Sequence, residues 1–262
     1  MRTAVPSPDD LTAATEAAHL DAHRWQREAT AAPPSDAHAV GEAWIERLTA
    51  RGALLGYGRA GRAADDPVNL IDTGLTESEF DAWTRAEGWT VPAHIRWTFV
   101  PPLRFASVGP AAERSIRMWP ASTTRTGAQH QALMTGRIEL RDGCLFVGAL
   151  GQPAERLAWF HAEVGLDLDA AGDVILRDRV TGQTLGRIGE DMRWSGPPSA
   201  DIDEDARRAL QRACGHHAIQ IVGSPESSER FRARLARLRD ARAETSRPPH
   251  AATDCGPDCA DR

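Results

Sequence analysis

The clearest pattern in the chain lies between residues 136 and 147. In Gly136-Arg137-Ile138-Glu139-Leu140-Arg141 polar and apolar residues alternate with period two, the repeat of a strand with one buried face. Asp142-Gly143 supplies a tight hairpin turn, and Cys144-Leu145-Phe146-Val147 returns as a buried strand. Three further short runs, at residues 157 to 161, 173 to 177 and 184 to 188, are separated by glycine-containing turns. Five strands so closely spaced predict a small antiparallel β-barrel, whose closure would remove exposed strand edges. Its expected core is Ile138, Leu140, Leu145, Val147, Ile175 and Ile188.

Period 3.6 appears on both sides of this region. Residues 8 to 30 place Leu11, Ala14, Ala18 and Trp25 near one helical face, and Ala31-Ala32-Pro33-Pro34 stops the run. Asp36 is placed to cap a second helix carrying Val40, Trp44 and Leu48 at four-residue steps. Residues 52 to 74 read as loop, because glycine and Asp65-Asp66-Pro67 break any period. Thr76-Glu77-Ser78-Glu79 is a capping box opening a helix with Phe80 and Trp83 that ends at Gly88. Residues 95 to 100 and 115 to 119 read as strands stopped by proline. Residues 201 to 214 form a helix with acids first and arginines later, which suits the helix dipole, and Gly215 ends it. A short apolar strand at 218 to 222 precedes Ser224-Pro225, which opens a last helix striped by Phe231, Leu235 and Leu238.

These elements predict an α+β fold: N-terminal helices, a small antiparallel β-barrel, and C-terminal helices. The expected divisions are a helical region at 1–90, a mixed linker with short strands at 91–132, the barrel with two flanking helices at 133–244, and a tail at 245–262. The string Gly136-Arg137-Ile138-Glu139-Leu140, Asp142-Gly143-Cys144-Leu145, Gly186-Arg187-Ile188-Gly189-Glu190 and Cys214-Gly215 before Val222-Gly223 resembles a group of uncharacterised bacterial proteins built around a compact β-barrel. The resemblance spans residues 135 to 223. Where such proteins tend to carry Trp-Pro-Pro, this chain has Ala158-Trp159-Phe160-His161. The resemblance implies a barrel and no particular activity.

Composition removes whole classes of chemistry. All 31 Lys/Arg side chains are arginine, so there is no amine for a Schiff base and no P-loop lysine. A net charge of -6 disfavours general binding to nucleic acid or an anionic membrane. No apolar run approaches a membrane span, and residues 1 to 10 lack a signal-peptide core, so a cytoplasmic location is expected. Four cysteines in such a chain read as thiols in a reducing compartment.

Several motifs are weighed against plain structural roles. Gly56-Tyr57-Gly58-Arg59-Ala60-Gly61 has the spacing of a dinucleotide turn, but the strand before it is short and no uninterrupted helix follows. Glu16, His19 and His23 share a helical face without further ligands, and a solvated face accounts for them. His161-Ala162-Glu163 has the His-x-Glu spacing of zinc deaminases without the Pro-Cys-x-x-Cys element they need. Cys144 as a nucleophile would need a base within reach. The six arginines of residues 230 to 242 are balanced by Glu226, Glu229, Asp240 and Glu244, which describes a solvated, internally paired helix. Cys214, His217, Cys255 and Cys259, with His216 and His250 nearby, could supply a mixed sulfur and nitrogen zinc site. The expected function is therefore a non-enzymatic cytoplasmic binding or adaptor protein with a protein partner and no cofactor. A zinc- or thiol-dependent protein using the Cys/His cluster is the alternative.

Overall fold

The computed structural model describes residues 25 to 63, 65 to 123, 125, 133 to 195 and 202 to 245. Within them the chain is mostly sheet, with 12 strands in three sheets and four helices. The expected α+β layout with a helical N-terminal region is thereby corrected.

The N-terminal part is a four-stranded sheet in the order β1-β4-β3-β2, formed by β1 (Trp25–Arg27), β2 (Leu54–Arg59), β3 (Val68–Thr73) and β4 (Arg96–Phe99). Trp25 to Arg27 pair with β4 as a strand, although helical periodicity runs through them in the sequence. The rest of that run, including Glu16, His19 and His23, lies outside the described residues. Residues 54 to 73 form a hairpin rather than a loop. Helix α1 (Ala37–Ala50) buries Ala37, Gly41, Trp44 and Leu48, one stripe, against the sheet; Asp36 precedes it without a side-chain cap bond. Helix α2 (Glu77–Ala86) opens on the capping box between Thr76 and Glu79 and forms the crossover between the parallel strands β3 and β4. Trp44, Leu48, Ile71, Phe80, Ile95, Trp97 and Phe99 are the core of this part. Arg27 spans its edge, stacked over Phe99 and donating to Glu77 at 2.7 Å and Asp81 at 2.9 Å.

The closed barrel is built from β5 (Leu133–Arg141), β6 (Cys144–Ala149), β7 (Arg156–Phe160), β12 (Ile219–Ser227) and β11 (Asp191–Ser195), with β11 returning to β5. Asp142 and Gly143 form the β5–β6 hairpin tip, both at positive φ (49° and 77°), which matches the twist of the flanking strands. The barrel is not purely antiparallel, because β12 joins β7 in parallel from Ile219↔Leu157 to Val222↔Phe160. Nor does it contain all the strands expected of it. β8 (Val164–Leu168), β9 (Val174–Asp178) and β10 (Thr184–Arg187) form a separate antiparallel sheet. That sheet shares one core with the barrel, in which Val164, Leu166 and Leu176 meet Ile138, Val147, Phe160, Met192 and Trp194. Of the expected core, Leu140 and Ile188 are only partly buried. Residues 115 to 119 form no strand; Ser115 ends the 3-10 turn Glu113–Ser115.

Gly136 sits where the barrel wall is tightest. A Cβ there would overlap the Gly148 carbonyl oxygen and the Trp194 indole. Gly136→Ala is expected to cost about 1–3 kcal/mol by overpacking, read as a fall in the urea midpoint; an unchanged midpoint would show that the wall is loose at this point.

Helix α3 (Glu204–Cys214), capped by Asp203, lies on the barrel's outer face over a third core of Cys144, Phe146, Leu157, Trp159 and Leu210. Helix α4 (Ser228–Thr245) starts four residues later than Ser224-Pro225 implied, because β12 continues through them to Ser227.

Candidate functional site

Two features at the surface could bind something, and their electrostatics differ. An open cleft of about 470 Å³ lies beside Leu140, Val174, Arg187 and Ile188. Its charges already satisfy one another, since Arg187 pairs with Asp169 at 2.8 Å and faces Asp173 at 3.7 Å. Partial desolvation opposes the Asp169 charge, yet the amides of Asp173 and Ala171 and the Arg187 guanidinium together hold its pKa below the usual carboxylate value. Asp169 in turn, first by its hydrogen bond, raises Arg187. This is a closed ion-pair network at a turn.

The second feature is a surface groove of about 320 Å³ between Val40, Ala43, Trp44 and Arg47 of α1 and the segment Gly88-Trp89-Thr90. Local chemistry fixes its walls. Helix α2 ends with Gly88 at φ 68°, with the Gly88 amide donating to Arg85 and the Trp89 amide donating to Thr84. This left-handed stop turns the chain so that Trp89 folds back on Trp83, the side chain one turn before the end. Their rings meet edge to face at 5.0 Å. Helix α1 ends the same way, with Gly52 at φ 67° and its amide bonded to Thr49, and presents Arg47 and Arg51 one turn apart. The Arg47 guanidinium lies 4.3 Å from the Trp89 ring centre and 5.1 Å from that of Trp44. Arg51 lies 4.8 Å from Trp83. Trp44 is the buried anchor beneath, while Trp83 and Trp89 are half-buried. Arg47 is the single charged residue of the lining.

The sequence-derived candidates fall elsewhere. Cys214 is disulfide-bonded to Cys144, with Cα atoms 5.7 Å apart and the two residues 70 positions apart in sequence. A disulfide sulfur offers no thiolate, so this pairing removes Cys214 from any zinc set and Cys144 from nucleophilic use. His217 packs edge-on against Phe146 at 5.1 Å. Cys255, Cys259 and His250 lie outside the described residues. No group of three or more His, Cys, Asp or Glu suited to a metal occurs among the described residues. The Gly56–Gly61 motif lies in and just after an antiparallel hairpin strand, where no helix N-terminus is presented to a phosphate.

His161 is buried at the end of β7, and Glu163 pairs with Arg125 at 2.9 Å. Beside them Arg179 donates to the Phe105 and Ala162 carbonyls, and burial, then the nearby Arg125 cation, lowers its pKa. Arg125 also donates to the Pro101 carbonyl, so the two arginines tie residues 101 to 105 to the β-sheet part. In α4, Arg234 pairs with Glu226 at 2.6 Å and Arg230 donates to Gln183. No helix among the described residues is long and apolar enough to cross a membrane.

No protein-family model matches the chain, and no curated protein or solved structure matches it either.

Proposed function

We propose that the chain is a non-enzymatic binding or adaptor protein that docks a protein partner at the α1 groove. The observation that carries this reading is a groove lined by Trp44, Trp89 and Arg47, with the Trp83 ring and its Arg51 cation packed beside Trp89. Tryptophan and arginine are the residue types most enriched where interface energy concentrates. The barrel serves as the rigid scaffold, its interior filled by Ile138, Val147, Phe160, Met192 and Trp194. The zinc- or thiol-dependent alternative loses Cys214 to the disulfide. On location, that same disulfide favours an oxidising compartment over the cytoplasm expected from the sequence.

The test places a photo-reactive benzoylphenylalanine at exposed Thr90 in the native host. The expected result is one dominant cross-linked protein, identified by mass spectrometry, that disappears when Ala43→Arg fills the groove. A cross-link indifferent to Ala43→Arg, or none at all, would remove the reading.

A further inference from the structure

We infer that the groove's partner is an acidic peptide segment, one that sets carboxylates against Arg47 in the lining and Arg51 one helical turn beyond it, and an apolar side chain against Trp89. This rests on the docking reading above and adds the chemistry of the occupant. Eight arginines stack over aromatic rings among the described residues: Arg27, Arg47, Arg51, Arg59, Arg141, Arg177, Arg193 and Arg234. Five of them also hold a carboxylate from this chain: Arg27, Arg59, Arg141, Arg177 and Arg234. Arg47, Arg51 and Arg193 hold none among the described residues; Arg193 lies over Phe231 in the barrel part with its Nε buried, whereas Arg47 lines the groove and Arg51 follows it one helical turn later.

Arg27 shows what the pair lacks. It belongs to the same part of the fold and stacks on Phe99, and its in-plane donors are taken up by Glu77 and Asp81. A guanidinium stacked on a ring keeps its N–H donors in its own plane, directed past the ring edge, and that geometry suits a carboxylate. The Arg47 and Arg51 guanidinium carbons lie 4.3 Å and 4.8 Å from the Trp89 and Trp83 ring centres, with the donors still unused by side chains or backbone among the described residues. The groove lining carries no acid, so an incoming carboxylate meets no like charge there. The two cations sit over different tryptophans one helical turn apart, an arrangement that neighbouring acidic side chains of a peptide can meet together. Desolvation by the apolar walls strengthens each contact.

The experiment pans a phage-displayed library of random dodecapeptides against the full chain. Recovered peptides are expected to be enriched in Asp or Glu beside Trp, Phe or Leu. The synthetic winner should quench tryptophan fluorescence and weaken as salt rises. Ala43→Glu is the decisive variant, because the introduced carboxylate would lie four residues before Arg47, a favourable helical pair that occupies the cation while leaving the fold intact. It should weaken the winner about tenfold or more without lowering the thermal midpoint, and Arg47→Gln with Arg51→Gln should weaken it as much. Peptides without acidic enrichment that are still blocked by Ala43→Arg would overturn the acidic partner and leave the groove. Peptides blocked by neither variant, or none recovered, would overturn the docking reading itself. Equal binding by free glutamate or an aromatic acid would replace the peptide with a small ligand.

Discussion

Replacing Trp44 with alanine is expected to remove about 3–5 kcal/mol of stability, a large part of what a domain of this kind possesses. The indole is 1% exposed and lies where both helices meet the sheet. Its ring meets Phe80 at 5.7 Å, Trp89 at 5.7 Å and Trp97 at 5.1 Å, in tilted or edge-to-face arrangements that favour aromatic pairs beyond area alone. The buried neighbours Leu48, Ile71, Phe80 and Trp97 are held by helix and sheet and cannot follow the removed ring. A cavity therefore remains, and its volume adds to the lost transfer energy. Urea unfolding followed by tryptophan fluorescence and circular dichroism gives the measure. A loss below about 1 kcal/mol would mean that the helices can close over the site and that the aromatic cluster is not a fixed core. Trp89→Ala, half-exposed at the rim, should cost clearly less while abolishing ligand binding. The contrast separates the anchor of the fold from the wall of the groove.

Much of the fold can be read locally and its closure cannot. The β5–β6 hairpin is legible because alternation and Asp142-Gly143 agree, and the α2 capping box and its stop at Gly88 are likewise local signals. β2 reads as loop because Gly56 and Gly58 interrupt it. A strand on the sheet edge can carry them, since β3 supplies the pairing on one side only. β11 does alternate, with Met192 and Trp194 inward, but five residues beside a turn give little period to detect. The parallel β12–β7 pairing has no turn to announce it; it joins residues some 60 positions apart and follows from burial of Val222 and Phe160 in one core. The groove has a sequence trace that periodicity alone does not single out. Trp44, Arg47 and Arg51 fall at helical spacing on one face, and Trp89 sits directly after the helix-ending glycine. Recognising it requires knowing that α1 and α2 share one face of the sheet.

Breaking the Cys144–Cys214 link should cost about 4 kcal/mol, the loop-closure entropy regained by the unfolded chain when 70 residues are released. Sequence could not give this pairing, because four cysteines allow three connectivities. Its structural sense lies in the third core. Cys144 opens β6, Cys214 ends α3, and the bond holds Leu210 down on Leu157 and Trp159. Cys144→Ala with Cys214→Ala keeps both positions apolar, so the loss reports the link more than a buried polar group. Thermal unfolding with and without reductant should reproduce the same destabilisation in the parent chain and none in the double variant. The bond itself can be mapped by trypsin under non-reducing conditions. Cleavage after arginine leaves Cys144 in residues 142 to 156 and Cys214 in residues 213 to 230, so the linked pair appears as one mass that splits on reduction. Protein taken directly from its host and alkylated before lysis should carry that mass. If both peptides instead arrive alkylated, the pair is a dithiol in the cell, the cytoplasmic location returns, and Cys214 becomes available again as a zinc ligand beside His217.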